Sequence, residues 1–427
     1  MRYFVLLSFL FISLSCFAQS YESYRVGNSE NIDITPTFGV CLMGGGTEND
    51  NAMQWFLNLA NSGDVLVLRT SGSDAYNTYF YNELGVTLNS VETLVISSSQ
   101  ASQENYIINR INQAEAIWFA GGNQSNYLDF FKSNAINEAI NHHINIKQGA
   151  IGGTSAGMAI LGDYYFSASN GTVTSSEALF NPYHPNISLG ESDFLNIPIL
   201  ETTITDTHFD NPDRKGRLSV FLARLLLNNP NTSVKGIAAE EFTAICIDQN
   251  AMAKVYGDYP EFEDYAYFIQ TNCELTPPET IEQNEAITWS VNQSAIDVIK
   301  IPATPTGTYQ LDLNDWQTSN WLTWEHWYIN DGNFNFSSSS PRNCTQLSVD
   351  NFTANQVKAY PNPFLEYVYL NLPASYKIKS VYNSKGQIVK HTFLGKQLRL
   401  NSQSKGVYYV CIESNSGEIS YLSLLKH

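Results

Sequence analysis

The chain has 427 residues, a formal net charge of −18, and 15% charged against 43% hydrophobic residues, which is enough material for two or three folding units with a sizeable core. The charge is uneven. Residues 351–427 carry nine lysines and arginines against three acids, so the remainder is strongly acidic, which excludes nucleic acid and anionic membrane as its partners because both require clustered positive charge.

The opening "MRYFVLLSFLFISLSCFAQS" has a basic tip at Arg2, an apolar stretch to about Leu14 and small residues before a cut after Ala18. It reads as a secretory signal peptide over residues 1–18. "SLSC" around Cys16 fits a lipoprotein cut poorly. No later run reaches ~18 consecutive apolar residues, so no membrane span is expected.

From about residue 37, apolar runs alternate with helix-length amphipathic runs. "TFGVCLMGGG", "DVLVLRTSG", "ETLVISSS", "AIWFAGGNQ" and "GAIGG" read as strands. Between them, "DNAMQWFLNLANS", "DAYNTYFYNELG", "SQENYIINRINQA" and one long helix through "NYLDFFKSNAINEAINHHI" read as helices. Strands that are apolar throughout and separated by helices imply an α/β fold with a doubly wound, mostly parallel sheet covered on both faces. Ligands of such sheets sit at the carboxyl ends of the strands, where this chain gathers "GGG", "TSG", "AGGNQ" and "GGTSAG".

The acidic, aromatic stretch 258–335 reads as strands that complete or extend the domain spanning residues 25–335. Residues 336–350, with "NFSSSSPRNC", read as a linker. The short alternating strands of residues 351–427 predict a small all-β sandwich. Cys41 and Cys246 lie in apolar runs and are expected in the core, whereas Cys273 and Cys344 lie in loop-like segments and are candidates for a disulfide.

"GGTSAG" contains G-x-S-x-G, with Ser155 between Gly153 and Gly157. A serine at a sharp strand-to-helix corner is an exposed nucleophile if a base, an acid and an anion site surround it. The amide of Ala156 is placed to face an oxyanion, and a second donor is expected from the Gly44, Gly45, Gly46 loop. His208 is the base candidate, because it ends a strand-like run and is followed by Arg214, Lys215, Arg217 and Arg224, a scarce cluster suited to gripping a carboxylate. His142 and His143 are expected on a solvent-facing helix. For the acid, spacing leaves Asp206, Glu240 and Glu241 open.

These motifs, "AGGNQ", "GGTSAGM", "DTHF…R…GRL" and "GIAAEEFTAI", in this order over residues 37 to about 255, resemble the cyanophycinase-like serine peptidases, family S51, which include aspartyl dipeptidases. The resemblance implies a class I glutamine amidotransferase-like fold and a Ser-His-Glu triad of Ser155, His208 and Glu241. It also implies substrate binding by Gln124, Arg214 and Arg217, with Asp206 beside them, and no metal or organic cofactor. Thr207 replaces the family's glutamine and Pro212 replaces an arginine, which shifts the expected substrate from cyanophycin to a short or β-linked aspartyl peptide. The terminal "YPNPF", "VYNSKGQIV", "LNSQSKGVYYV" and "LLKH" resemble the C-terminal sorting domains of the Bacteroidetes type IX secretion route. That resemblance implies the secretion machinery as a partner, a secreted or cell-surface location and removal of the tail. The alternatives are a catalytically silent binding protein on the same fold and an esterase.

Overall fold

A computed structural model describes residues 20–321, 323–339, 358–372, 376–400, 404–414 and 419–427. The expected signal peptide, Cys16, Cys344 and residues 340–357 lie outside these. Cys273 is disulfide-bonded.

The first six strands are β1 (Tyr21–Gly27), β2 (Gly39–Met43), β3 (Asp64–Arg69), β4 (Ser90–Ile96), β5 (Ala116–Phe119) and β6 (Ala150–Thr154). Five of them, in spatial order β4-β3-β5-β6-β2, pair in parallel, and β1 closes one edge antiparallel to β4. β2 and β4 to β6 are buried along their whole length and β3 up to its last residue, as continuous apolar runs require when both faces are covered. Helix starts follow the local chemistry: Asn49 accepts from the Ala52 amide to cap Asp50–Asn58, and Thr174 with Glu177 forms a capping box on Ser175–Phe180.

The chain then builds a second sheet. β7 (Tyr164–Phe166), β8 (Leu189–Glu191), β9 (Thr203–Asp206) and β10 (Lys235–Ala239) enter it, β11 (Ala244–Asp248) and β12 (Met252–Tyr256) return to the first, and β13 (Tyr265–Thr271) and β14 (Ile296–Pro302) rejoin the second. β15 (Gln310–Asp312) ends the first sheet, while β16 (Trp324–Asn330) and β17 (Asn333–Ser339) end the second. Among the described residues the first sheet has nine strands and the second eight, in the order β17-β16-β14-β13-β10-β9-β7-β8. The α/β architecture with flanking helices is as expected, but there are two mixed sheets rather than one. One core cluster joins them, with Leu42, Ile151 and Ile245 from the first and Ile237, Phe268 and Ile299 from the second.

Other details differ from the sequence reading. The long helix is two, Gln124–Phe131 and Ala135–His142, because Ser133 is left-handed and the Asn134 side chain caps the second by accepting from Ile136 and Asn137. His143 does not face solvent. It is fully buried, and its Nε2 bonds the Ala150 carbonyl at 3.0 Å. β1 starts before residue 25, and β17 takes up residues expected in the linker. Cys41 and Cys246 are buried and free, as expected of core residues. Among the described residues the C-terminal region forms separate antiparallel sheets of four and three strands around Val368, Leu370, Leu398 and Val410.

Candidate active site

Ser155 sits where β6 ends and a short helix, Ala156–Ala159, begins, with φ +52° and ψ −118°. That conformation is strained for a non-glycine residue and is the mark of a nucleophile elbow. The corner is so tight that a Cβ on Gly157 would fall 2.1 Å from the Phe119 carbonyl oxygen, so only glycine fits there.

His208 follows β9 and Glu241 follows β10, two strands paired in parallel, so both side chains leave the same end of the second sheet. Ser155 Oγ lies 2.7 Å from His208 Nε2, and His208 Nδ1 lies 2.5 Å from Glu241 Oε1. A carboxylate only accepts, so Nδ1 carries the proton and Nε2 is free to accept from the serine hydroxyl. The imidazole and carboxylate side chains are 24% and 22% exposed, open to a substrate yet partly shielded.

The choice among acids rests on what the neighbours already hold. Glu240 turns inward, accepting from the Tyr265 amide at 2.8 Å and the Tyr267 hydroxyl at 2.7 Å, and burial raises its pKa. Asp206 is buried and takes both arms of Arg217, at 3.0 Å from Nε and 2.5 Å from Nη2. Only Glu241 of the three candidates reaches the imidazole, while its own amide donates to Asp210.

The Asp206–Arg217 pair therefore braces β9 against the helix Lys215–Asn228, and neither partner is open to a substrate as the sequence led us to expect. Arg214 is different. Its Nη1 donates to the Thr207 carbonyl at 2.8 Å and lies 3.9 Å from Asp206 Oδ1, a looser pairing than that of Arg217, and its buried Nε has no partner among the described residues. Burial, then the nearby Arg217, lowers its pKa. Gln124 stands at the start of its helix and donates to the Phe166 carbonyl at 2.9 Å.

The Gly44–Gly46 loop does something the sequence did not announce. Three successive carbonyls hold the site's backbone: Met43 accepts from the Ser155 amide at 3.1 Å, Gly44 from His208 at 2.8 Å and Gly45 from Phe242 at 2.9 Å. The Gly44 amide is spent on Thr243. Gly45 presses on the base, since a Cβ there would lie 2.4 Å from His208 Cε1. A Cβ on Gly121 would lie 3.4 Å from Ser155 Cβ. The amides of Gly45, Gly46, Gly121 and Ala156 have no acceptor among the described residues. A cavity of about 970 Å³ between Lys132, Asp193, Lys358 and Tyr360 includes none of these groups.

Residues 40–255 match the model of peptidase family S51, just over half of the chain. The chain belongs to peptidase family S51. Residues 358–422 match the secretion system C-terminal sorting domain. This S51 chain is 24% identical over 147 residues to the cyanophycinase of Geminocystis herdmanii, covering 34% of the chain and 48% of that relative, so it spans about half the length of the curated relative it matches. Among solved structures, a peptidase from an acI-B1 Actinobacterium aligns at 16% identity and TM-score 0.38, over 52% of this S51 chain and 89% of its own. A protein of Listeria monocytogenes EGD-e titled as a peptidase E aligns at 17% identity and TM-score 0.32, over 52% and 99%. No helix among the described residues is long and apolar enough to cross a membrane.

Proposed function

We propose that the protein is a secreted serine peptidase that cleaves short or β-linked aspartyl peptides. The observation that carries this is the continuous relay from Ser155 Oγ to His208 Nε2 and from His208 Nδ1 to Glu241 Oε1, at 2.7 and 2.5 Å. Ser155 attacks the scissile carbonyl as its proton passes to Nε2. Glu241 holds the imidazole in the correct tautomer and stabilises the imidazolium. The amide of Ala156 faces the developing oxyanion, with the second donor at Gly121 beside the serine in place of Gly45, which lies against His208, or Gly46, which lies under the Phe242 ring. His208 then hands its proton to the leaving amine, and water, activated by the same base, releases the acyl group.

Arg214 is the proposed grip for a substrate carboxylate, aided by Gln124. With Arg217 held by Asp206, Thr207 in place of glutamine and no arginine at Pro212, the anion site is smaller than the family pattern implies, which favours a short aspartyl peptide over cyanophycin. The sorting domain supports export by the type IX route and a secreted or cell-surface location. The test is labelling of the mature protein by a fluorophosphonate probe, expected in the wild type and absent in Ser155→Ala, followed by a panel of α- and β-aspartyl peptides, cyanophycin and acyl esters. Absence of labelling favours a silent binding protein. Faster ester than peptide turnover makes the protein an esterase.

A further inference from the structure

We propose that Phe242 forms the wall of the site on the leaving-group side and selects peptides with an apolar residue on the amine side of the scissile bond; this rests on the serine peptidase reading above. Phe242 directly follows Glu241, has φ +61° and is 47% exposed. A bulky aromatic in the left-handed region is a backbone outlier, and such outliers cluster where function requires them. Here the backbone is pinned by the Phe242 amide donating to the Gly45 carbonyl at 2.9 Å. The pinned ring covers Gly46: a Cβ on that glycine would lie 3.0 to 3.2 Å from three ring atoms. Gly45, one residue back, lies against Cε1 and Nε2 of His208. The base, the buried Gly45 packed against it, and the exposed Gly46 under the exposed aromatic ring are therefore consecutive neighbours.

The direction of proton transfer tells which part of a substrate meets that surface. His208 must protonate the leaving amine, so the amine and its residue lie on the imidazole side of Ser155. Gly121 lies against Ser155 itself, and Gln124 begins the helix three residues later. An apolar side chain on the leaving residue would be taken out of water against the half-exposed ring. An acidic one would meet the carboxylate of Asp210, which accepts from the Glu241 amide, and is disfavoured.

The experiment measures kcat/KM of the mature full chain on aspartyl dipeptides carrying leucine, glycine or glutamate after the scissile bond. Wild type is expected to favour leucine over glycine on the order of tenfold, the discrimination an apolar contact typically supplies, and to be slowest on glutamate. Phe242→Gly, which accepts the left-handed backbone, is expected to bring the leucine to glycine ratio to within about twofold, and Phe242→Tyr to restore it. Fluorophosphonate labelling of Ser155 is followed in every variant. A wild-type profile with no leucine preference overturns the proposal, as does an unchanged ratio in a Phe242→Gly protein that still labels. A wild type that neither labels nor cleaves overturns the peptidase reading itself.

Discussion

Replacing Glu241 with glutamine keeps the side-chain length and removes the charge facing His208. In the proposed mechanism that charge stabilises the imidazolium formed as Ser155 attacks. With Nδ1 and Oε1 at 2.5 Å, the centres of the two delocalised charges are about 4 Å apart, and at an effective dielectric of about 20 the attraction is about 4 kcal/mol. Both side chains are less than a third exposed, so solvent screening leaves most of this in place. At about 1.36 kcal/mol per factor of ten, Glu241→Gln is expected to lower kcat by roughly a thousandfold, with a further loss where the amide selects the wrong tautomer. The assay is steady-state hydrolysis of an aspartyl peptide, with thermal unfolding measured in parallel. Glu240→Gln is the paired control: it disturbs the bonds to Tyr265 and Tyr267 and is expected to cost about 1 to 2 kcal/mol of stability while the folded fraction keeps kcat within a few-fold. If Glu241→Gln keeps more than a tenth of wild-type kcat, or Glu240→Gln abolishes turnover with stability unchanged, the assignment of the acid is wrong.

Gly45→Ala places a methyl group against the His208 ring, at a φ of +120°. The displaced imidazole is expected to lower kcat on the order of a hundredfold, read in the same hydrolysis assay, and a variant at wild-type rate would show that the loop does not set the base. For His143, burial pushes the pKa down from 6.5 to about 4. The unfolded chain takes up a proton near pH 6.5 that the folded protein refuses until about pH 4, so stability is full above pH 6.5 and is lost as the pH falls to about 4, on the order of 3 kcal/mol from this group. Urea unfolding between pH 7 and pH 4.5 is expected to show a smaller loss in His143→Asn than in wild type, and parallel profiles would contradict the buried neutral imidazole.

Much of the candidate site is legible in the residues alone, because its parts carry local signals. Ser155 stands out through the glycines of a strand-to-helix corner, and His208 through scarce cationic neighbours in an acidic body. Glu240 and Glu241 could not be separated locally, since adjacent residues after a strand point to opposite sides and the choice is made by Tyr265 and Tyr267, which arrive from β13. Arg217 was misread for a similar reason: as a nearby base it suggested a substrate grip, and only the meeting of β9 with the helix Lys215–Asn228 shows that Asp206 occupies it. The second sheet was hidden because strands such as β10 and β11 have the same apolar pattern whichever sheet they join; long-range pairing decides. The break between the helices at Asn134 was present as a capping residue, but the apolar periodicity on either side masked it.

The proposed nucleophile follows a strand of one sheet, the proposed base and acid follow strands of the other, and Met43, Gly44 and Gly45 clasp them through main-chain oxygens. Peptide oxygens are the same whatever side chain is attached, so the proposed relay is aligned by main-chain contacts, with Gly45 the position where an added side chain would disturb them. On the proposed reading, the side chains of Arg214, Gln124, Thr207 and Phe242 set what is bound, while the main chain aligns the proton path. A scaffold of this kind lets diet evolve separately from chemistry.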